Sequence, residues 1–319
     1  MFILIKVLKG DKGENVSYKT RFRATLIGFT AVLMWATLAL LTKLSGSVPP
    51  FQLMAMSFTV ASSIGLALWI KKGNNFLCAL KLPKKVWGLG IFGLFGYHCF
   101  YFIALKNAPA VEASLIAYLW PLFIVLFSAL LPNEKLRWFH IVGAISGFLG
   151  AGLLVTAGSS VTFEAQYSLG YLTALICALT WSSYSVLSRC FGFVSTDAVA
   201  GFCVVTAILA WLCHWLFEPT VIPVGKEWLA IVCLGLAPVG LAFFTWDYGV
   251  KNGNIKALGS LSYAAPLLST LLLIAFGFSE ASWKLGVACL LIVGGAILAA
   301  GDFLKKGTES NILDRPRKK

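Results

Sequence analysis

Ten runs of about 20 apolar residues follow one another along this chain, separated by short polar connections. A helix rises about 1.5 Å per residue, so each run is long enough to cross the roughly 30 Å hydrocarbon core of a bilayer. We place the runs at 22–44, 51–70, 86–105, 110–131, 138–157, 169–190, 198–217, 228–250, 255–277 and 283–304. With 59% of its residues hydrophobic and only 12% charged, the chain is predicted to be an all-α membrane protein in contact with lipid.

The basic residues provide a separate test of this count. Connections between ten spans alternate between the two sides of the membrane, and Lys and Arg accumulate on the cytoplasmic side. Of the 26 Lys and Arg residues, 22 fall on the side that holds both termini. The other four are Lys43, Lys106, Lys226 and Lys284. This asymmetry predicts ten spans between two cytoplasmic tails, residues 1–21 and 305–319, and accounts for the net charge of +13 without nucleic-acid binding.

Neither a cofactor nor enzymatic chemistry is predicted. The eight cysteines contain no CxxC pair, so they indicate neither a disulfide framework nor a zinc site. The sequence has no HExxH, no G-x-S-x-G, no paired intramembrane aspartates and no glycine-rich phosphate loop. Because the loops are too short to hold a soluble catalytic domain, a membrane-embedded enzyme is the less favoured alternative.

The chain also matches itself at shifts of 146 and 145 residues. The aligned pairs include Trp35 with Trp181, Lys43 with Arg189, Lys106 with Lys251, Tyr118 with Tyr263, Pro121 with Pro266 and Glu134 with Glu280. We therefore predict two five-helix repeats, residues 22–158 and 169–304. Five is an odd number, so the second repeat enters the membrane from the opposite side. Inverted repeats of this kind are typical of carriers, in which a site near the midplane opens to either side.

These features resemble the drug/metabolite transporter superfamily, in particular its EamA type, which is built from two five-helix repeats. The resemblance covers about residues 22–304 and rests on the pairs aligned above. Segments 96–101 (GYHCFY) and 118–121 (YLWP) look like the branch of aromatic amino-acid exporters. What this resemblance implies is a bacterial inner-membrane protein that exports aromatic and other amino acids through a central cavity. The implied partners are a small-molecule substrate and the lipid bilayer, with a homodimer as a further possibility.

Carried over position by position, the resemblance implies a cavity lined by aromatic and polar side chains. The matching positions are Tyr97, His98, Tyr101, Tyr118, Trp120 and Trp181, together with either Ser260 or Ser262. Depth along the spans agrees: His98 lies about 18 Å into the third span, and Tyr118 lies about 12 Å into the fourth from the other side. Interfacial belts do not explain aromatic residues at mid-depth. A ring-lined cavity with a few hydrogen-bonding groups suits a small amphipathic solute.

Each of these side chains also has a purely structural interpretation. His98 could bridge two helices, and Tyr101 and Tyr118 could form interhelical hydrogen bonds. For Trp35 the apolar neighbourhood favours packing. Basic residues at the helix ends are typical of snorkelling anchors or loop hydrogen bonds. They are Lys43, Lys106, Arg189 and Lys251.

The coupling mechanism and the substrate range stay open at this point. His98 is the titratable group predicted at mid-depth, so proton-coupled transport would use it. Because no chain of Asp and Glu residues accompanies His98, gradient-driven facilitated export is the alternative. A carrier of drugs, quaternary-ammonium compounds or other metabolites is a second candidate function. We would expect such a cationic-drug carrier to have a mid-depth carboxylate, and the sequence indicates none.

Overall fold

The computed structural model describes residues 18–71, 82–132, 134–157 and 161–301, and within these ranges the chain is helical, without strands. The helices are α1 Tyr18–Leu44, α2 Pro50–Lys71, α3 Lys84–Asn107, α4 Ala110–Leu130, α5 Trp138–Val155, α6 Ser168–Cys190, α7 Ala198–Phe217, α8 Lys226–Asn252, α9 Ile255–Ala275 and α10 Trp283–Ala299. Most of the predicted tail 1–21 and all of the tail 305–319 lie outside the described residues.

Nine of these helices are long and apolar enough to cross a bilayer. The tenth helix of the described ranges, α10, is apolar but shorter than the other nine, at 17 residues. A helix suits lipid because its backbone N–H and C=O groups are hydrogen-bonded internally, which leaves none unpaired in hydrocarbon. The protein is therefore an all-helical integral membrane protein, as the sequence predicts.

Two pairs of helices are interrupted in matching ways. A π-helical turn occurs at Phe92–Gly96 in α3 and at Ala237–Leu241 in α8. Helices α4 and α9 are broken just before Pro121 and Pro266. Proline has no N–H to donate, and its ring clashes with the carbonyl four residues earlier, so a regular helix cannot run through these positions. All four interruptions lie in the middle parts of the helices. There they free backbone groups from the regular hydrogen-bond pattern and change the direction of the side chains.

The first five helices pack against the last five in reciprocal pairs. Helix α1 packs along α8 and α6 along α3, while α2 pairs with α7 and α5 with α10. Facing glycines allow two of these crossings to be close: a Cβ on Gly28 would lie 2.9 Å from Gly249 Cα, and a Cβ on Gly143 would lie 2.4 Å from Gly295 O. The glycine face of α5 is therefore covered by α10 of the same chain, and a homodimer through α5 would need another face.

The two ends of the bundle differ and are named here by residues that lie at them. The Tyr18 end holds the start of α1, the connection between α4 and α5, and the end of α6, since Arg21 and Arg189 both contact Glu134. The Lys43 end is the opposite one, where Lys43 lies over the ring of Phe278.

Candidate functional site

A cavity of about 680 Å³ lies between the helices and extends from their middle to the Lys43 end. Its deepest wall includes Trp35, Trp120 and Trp181, and Lys43 and Val48 lie at its mouth. A volume in this range suits a small molecule. The described lining residues include no Asp or Glu, and most of the wall is apolar or aromatic.

Six of the eight side chains predicted from the sequence lie on this wall. They are Tyr97, His98, Tyr101, Tyr118, Trp120 and Trp181. Ser260 and Ser262 are buried in the first part of α9 and do not line the cavity. The Ser262 hydroxyl donates to Leu258 O at 2.7 Å, whereas the Ser260 hydroxyl has no hydrogen-bond partner within the described residues. The α9 serine that does line the cavity is Ser269.

Four tryptophans from four helices, Trp35, Trp120, Trp181 and Trp246, form the tryptophan floor of the cavity. The Trp35 ring centroid lies 6.0 Å from that of Trp120, 5.6 Å from Trp181 and 5.0 Å from Trp246. Trp246 is fully buried beneath the others, and its indole N–H donates to Ser185 Oγ at 3.0 Å. Edge-to-face and tilted contacts at these distances are favourable for aromatic rings. The floor separates the cavity from the Tyr18 end.

Trp35 therefore both packs and lines the cavity, although the sequence favoured packing alone. Its indole N–H donates to Pro238 O at 3.1 Å. Pro238 lies within the π-helical turn of α8. A π-turn disturbs the regular i to i+4 pattern and leaves carbonyl groups available. The interruption in α8 thus fixes the orientation of an indole ring supplied by α1.

His98 presents a hydrogen-bond acceptor to the cavity. Its Nδ1 lies 2.7 Å from Leu94 O. A carbonyl oxygen can only accept, so Nδ1 carries the proton, and in the neutral imidazole Nε2 is left as an acceptor. The imidazole ring packs edge-on against Phe58 at a centroid distance of 5.5 Å and lies 6.3 Å from Phe243. An acceptor held between aromatic rings suits an ammonium or N–H group of a bound solute.

Tyrosine and serine hydroxyls supply the other polar groups of the wall. Tyr101 Oη lies 3.0 Å from Ser114 Oγ, which joins α3 to α4. The Tyr97 and Tyr101 rings stack at 6.4 Å with an interplanar angle of 8°. Of the two alternatives for Tyr101, the interhelical hydrogen bond is present, and the same side chain also faces the cavity. The structural and binding interpretations are therefore compatible at this position.

The aromatic residues of the wall that the sequence does not single out include Phe58 and Phe243. Phe58 of α2 and Phe243 of α8 stack at 5.7 Å with an interplanar angle of 13°. Both line the cavity next to His98. The chain has 24 phenylalanines, and no sequence motif distinguishes these two from the others. Only the packing of α2 and α8 across the bundle brings them together.

A buried carboxylate closes the Tyr18 end. Glu134 is 7% exposed; its Oε1 accepts hydrogen bonds from Arg21 and, at 3.1 Å, from Arg189, and its Oε2 lies 2.9 Å from Lys256 Nζ. These partners belong to α1, α6 and α9. Burial alone raises the pKa of Glu134, but the three neighbouring cations outweigh it and hold this pKa below its ordinary value. The Glu134 cluster is therefore ionised and intact at neutral pH.

The residues that match this cluster in the sequence repeat are not paired at the other end. Glu134 and Arg189 correspond to Glu280 and Lys43. Glu280 is exposed, and Lys43 lies 4.6 Å above the Phe278 ring, with no ion pair between Lys43 and Glu280 in the described part of the chain. Of these matching charged residues, those at the Tyr18 end are thus paired, and those at the Lys43 end, beside the open cavity, are apart.

These observations define a class of protein: an integral membrane protein whose helices enclose an aromatic cavity open to one end. The model of the EamA-like transporter family matches the chain twice, over residues 22–156 and 168–301. The chain therefore belongs to the EamA-like transporter family, which is not a class of enzymes.

Similar proteins include two exporters and one solved structure. The aromatic amino acid exporter YddG of Ancylobacter novellus is 56% identical over 281 residues, which cover 88% of this chain and 98% of that protein. The aromatic amino acid exporter YddG of Salmonella typhimurium is 25% identical over 293 residues, covering 88% and 97%. A crystal structure of a protein 56% identical to this chain matches it with a TM-score of 0.83 and covers 87% of this chain and 98% of the other.

Proposed function

We propose that this protein exports aromatic and other amino acids from the bacterial cytoplasm, by alternating access around the aromatic cavity. The observation that carries the proposal is the composition of the cavity wall. Stacked rings supply apolar faces, and His98 Nε2 with the Tyr101 and Ser114 hydroxyls supplies a small number of polar groups. Aromatic amino acids combine a flat apolar ring with hydrogen-bonding groups, which is the combination this wall complements. The two relatives named as aromatic amino acid exporters support the same substrate class.

The proposed binding residues are the six predicted positions on the wall. Tyr97, His98, Tyr101, Tyr118, Trp120 and Trp181 contact the solute in this proposal. A substrate ammonium near Trp120 or Trp181 would gain cation–π attraction of roughly 0.5–2 kcal/mol. Ser269 replaces Ser260 and Ser262 as the serine of α9 that reaches the solute while the Lys43 end is open.

The architecture proposed for this mechanism is ten spans in two inverted repeats, residues 22–158 and 169–304. The reciprocal pairing of α1 with α8 and α6 with α3 supports it, because a twofold axis relating the halves generates such pairs. The matching interruptions in α3 and α8, and in α4 and α9, support the same relation. Helix α10 would cross as the tenth span, since it packs along the full-length span α5. Both termini are then cytoplasmic, so the Tyr18 end faces the cytoplasm and the cavity opens outwards.

A cationic-drug carrier is the alternative function. A site for organic cations in a membrane is expected to supply a carboxylate near the bound charge. The described wall has no Asp or Glu, and Lys43 at its mouth is positive. An amino acid brings a carboxylate of its own, which suits a positively charged entrance. The cavity therefore favours amino acids over organic cations.

The test is counterflow in proteoliposomes, with labelled phenylalanine, tyrosine and tryptophan measured across an amino-acid panel, with and without a pH gradient. We expect exchange of the aromatic amino acids, reduced at least about tenfold by His98→Ala or Trp181→Ala. Trp283→Ala is the matched control, because this tryptophan is 75% exposed at the surface. Absence of exchange by the unmodified protein would refute the substrate class. Undiminished exchange by both cavity variants, folded as judged by thermal melting, would refute the site.

A further inference from the structure

A second charged site lies beneath the tryptophan floor, on the side away from the cavity. Asp247 and Lys251 occupy successive turns of α8, with Oδ2 and Nζ 2.8 Å apart. Their side chains are 2% and 7% exposed. Thr196 Oγ1 donates to Asp247 Oδ2 at 2.7 Å, and Lys251 Nζ donates to Val194 O at 3.0 Å. The pair thus lies inside the protein and points away from lipid.

A purely structural role explains this pair poorly. Transferring two charges out of water costs several kcal/mol per ion, and their mutual attraction only roughly offsets that cost. Two apolar side chains of similar volume would stabilise the same packing at least as well. Ionisable groups within membrane spans instead mark solute or ion pathways.

The surroundings of the pair contain a further polar group that has no clear structural partner. The Tyr184 hydroxyl is buried and forms no hydrogen bond of acceptable geometry within the described residues, although the Ser188 side chain lies close to it. Tyr184, Ser188, Asp247 and Lys251 together line a void of about 10 Å³, enough for a single water molecule. A buried hydroxyl without a partner is costly in a folded protein. The Tyr184 hydroxyl beside this void is therefore available to a polar group that enters it.

Residues that line the void are close in the sequence to residues of the tryptophan floor. Asp247 directly follows Trp246, and Tyr184 lies one helical turn beyond Trp181, with ring centroids 5.2 Å apart. The tryptophan floor therefore lies between the open cavity on the Lys43 side and this small void on the Tyr18 side, which would be a collapsed chamber in a carrier that alternates between two openings. Both chambers share aromatic walls, and only the collapsed chamber has a carboxylate and an ammonium group facing each other.

We propose that Asp247, Lys251 and the Tyr184 hydroxyl form a loading site for the zwitterionic group of an amino acid on the Tyr18 side of the tryptophan floor. This inference rests on the proposed function and concerns its first step, in which the solute binds from the Tyr18 side. When the Tyr18 end opens, Asp247 accepts hydrogen bonds from the solute ammonium, and Lys251 donates to the solute carboxylate. The side-chain ion pair is exchanged for two equivalent ion pairs with the solute.

The exchange selects for a zwitterion because of charge balance. A solute with one ammonium and one carboxylate leaves both Asp247 and Lys251 paired. A simple amine would pair with Asp247 and leave Lys251 without its partner, and a simple acid would do the reverse. A buried charge that loses its partner is strongly destabilised, because it is neither hydrated nor neutralised. The pair therefore discriminates against simple amines and against simple acids, although the charges of Asp247 and Lys251 sum to zero.

The test compares three competitors of labelled phenylalanine uptake into everted membrane vesicles, in which the cytoplasmic face meets the medium. Unlabelled phenylalanine carries both groups, phenethylamine only the ammonium, and 3-phenylpropionate only the carboxylate. We expect phenylalanine to compete best with the unmodified protein. Asp247→Asn should shift the ratio of the two incomplete competitors about tenfold towards the acid, and Lys251→Gln should shift it about tenfold towards the amine.

Two controls separate a loading site from a structural pair. Lys226→Gln removes an exposed positive charge at the Lys43 end and should leave the ratio unchanged. Tyr184→Phe removes only a hydroxyl, so the protein folds, and the phenylalanine concentration for half-maximal uptake should rise several-fold. An acid-to-amine ratio within twofold of the unmodified value in both charge variants would overturn the proposal, and so would an unchanged half-maximal concentration in Tyr184→Phe. Lack of phenylalanine uptake by the unmodified protein would instead refute the proposed function from which this inference starts.

Discussion

Replacing Glu134 with Gln should open the Tyr18 end of the bundle. The carboxylate is the anionic partner of Arg21, Arg189 and Lys256, and an amide cannot replace its charge. Removing one partner of a fully buried pair costs about 3–5 kcal/mol; because the Arg21 side chain is 34% exposed and that of Arg189 20%, we expect about 2–3 kcal/mol here. This free-energy cost applies only to conformations that are closed at the Tyr18 end. The ratio of open to closed molecules should therefore rise about 30- to 150-fold.

The assay is the labelling rate of a cysteine at position 188 by a membrane-impermeant maleimide, in everted vesicles and in a background without native cysteines. Ser188 is buried, so labelling of Ser188→Cys depends on opening of the Tyr18 end. We expect Glu134→Gln to increase the labelling rate at least about tenfold. Glu134→Asp keeps the charge, so we expect it to increase the labelling rate much less. Glu280→Gln is the matched control, because this carboxylate is exposed at the other end. Labelling of the Glu134→Gln variant at the rate of the parent would refute the role of the cluster as a closure.

Two further predictions concern packing and orientation. Gly143→Ala would put a methyl group 2.4 Å from a backbone oxygen of α10, so we expect a loss of about 1–3 kcal/mol, measured as a lower melting temperature in detergent. Gly286→Ala, which meets open space, should melt like the parent protein, and equal melting of both variants would contradict the close crossing. In intact cells, Gln166→Cys should react with an impermeant maleimide from outside, whereas Lys135→Cys should react only after permeabilisation. The reverse pattern would exclude the proposed orientation, and reaction of both cysteines from the same side would exclude the inverted repeat.

The depth of residues along the helices could be predicted from the sequence, because the rise per residue is nearly constant. His98 and Tyr118 were placed at similar depth by counting from opposite ends of their spans, and both line the cavity. The resemblance implies a place for Trp181 in the cavity wall, and its ring lies in the tryptophan floor. The face that each helix turns inwards depends instead on which neighbours it packs against. This is why the sequence alone does not rank Ser260 against Ser262 and does not single out Ser269.

Ion pairs between distant parts of the chain could not be predicted either. The sequence predicts Arg189 to be an anchor at a helix end or to bond loop carbonyls. Its guanidinium does donate to Gly253 O at 2.8 Å and to Val250 O at 3.1 Å, but its ion pair with Glu134, 55 residues away in the sequence, is not predicted. Lys251 was expected to be an anchor or to bond a loop carbonyl. The carbonyl contact is present at Val194 O, and the ion pair with Asp247 was missed. An i, i+4 pair could have been read from the sequence, but its burial depends on the Thr196 loop closing over it.

Two layers close the Tyr18 end, the Glu134 cluster and the tryptophan floor, and they differ in how far water compensates for opening them. Opening the Glu134 cluster returns its charged groups to water, and their hydration offsets most of the lost attraction. Opening the tryptophan floor instead exposes large apolar rings, and water does not compensate for the lost contacts between them. An aromatic solute does compensate, because its ring can replace the contacts that the floor loses. Passage through the floor is therefore easier when a ring accompanies the opening. This difference favours transport of aromatic solutes over leakage of water and ions, without requiring any additional gate.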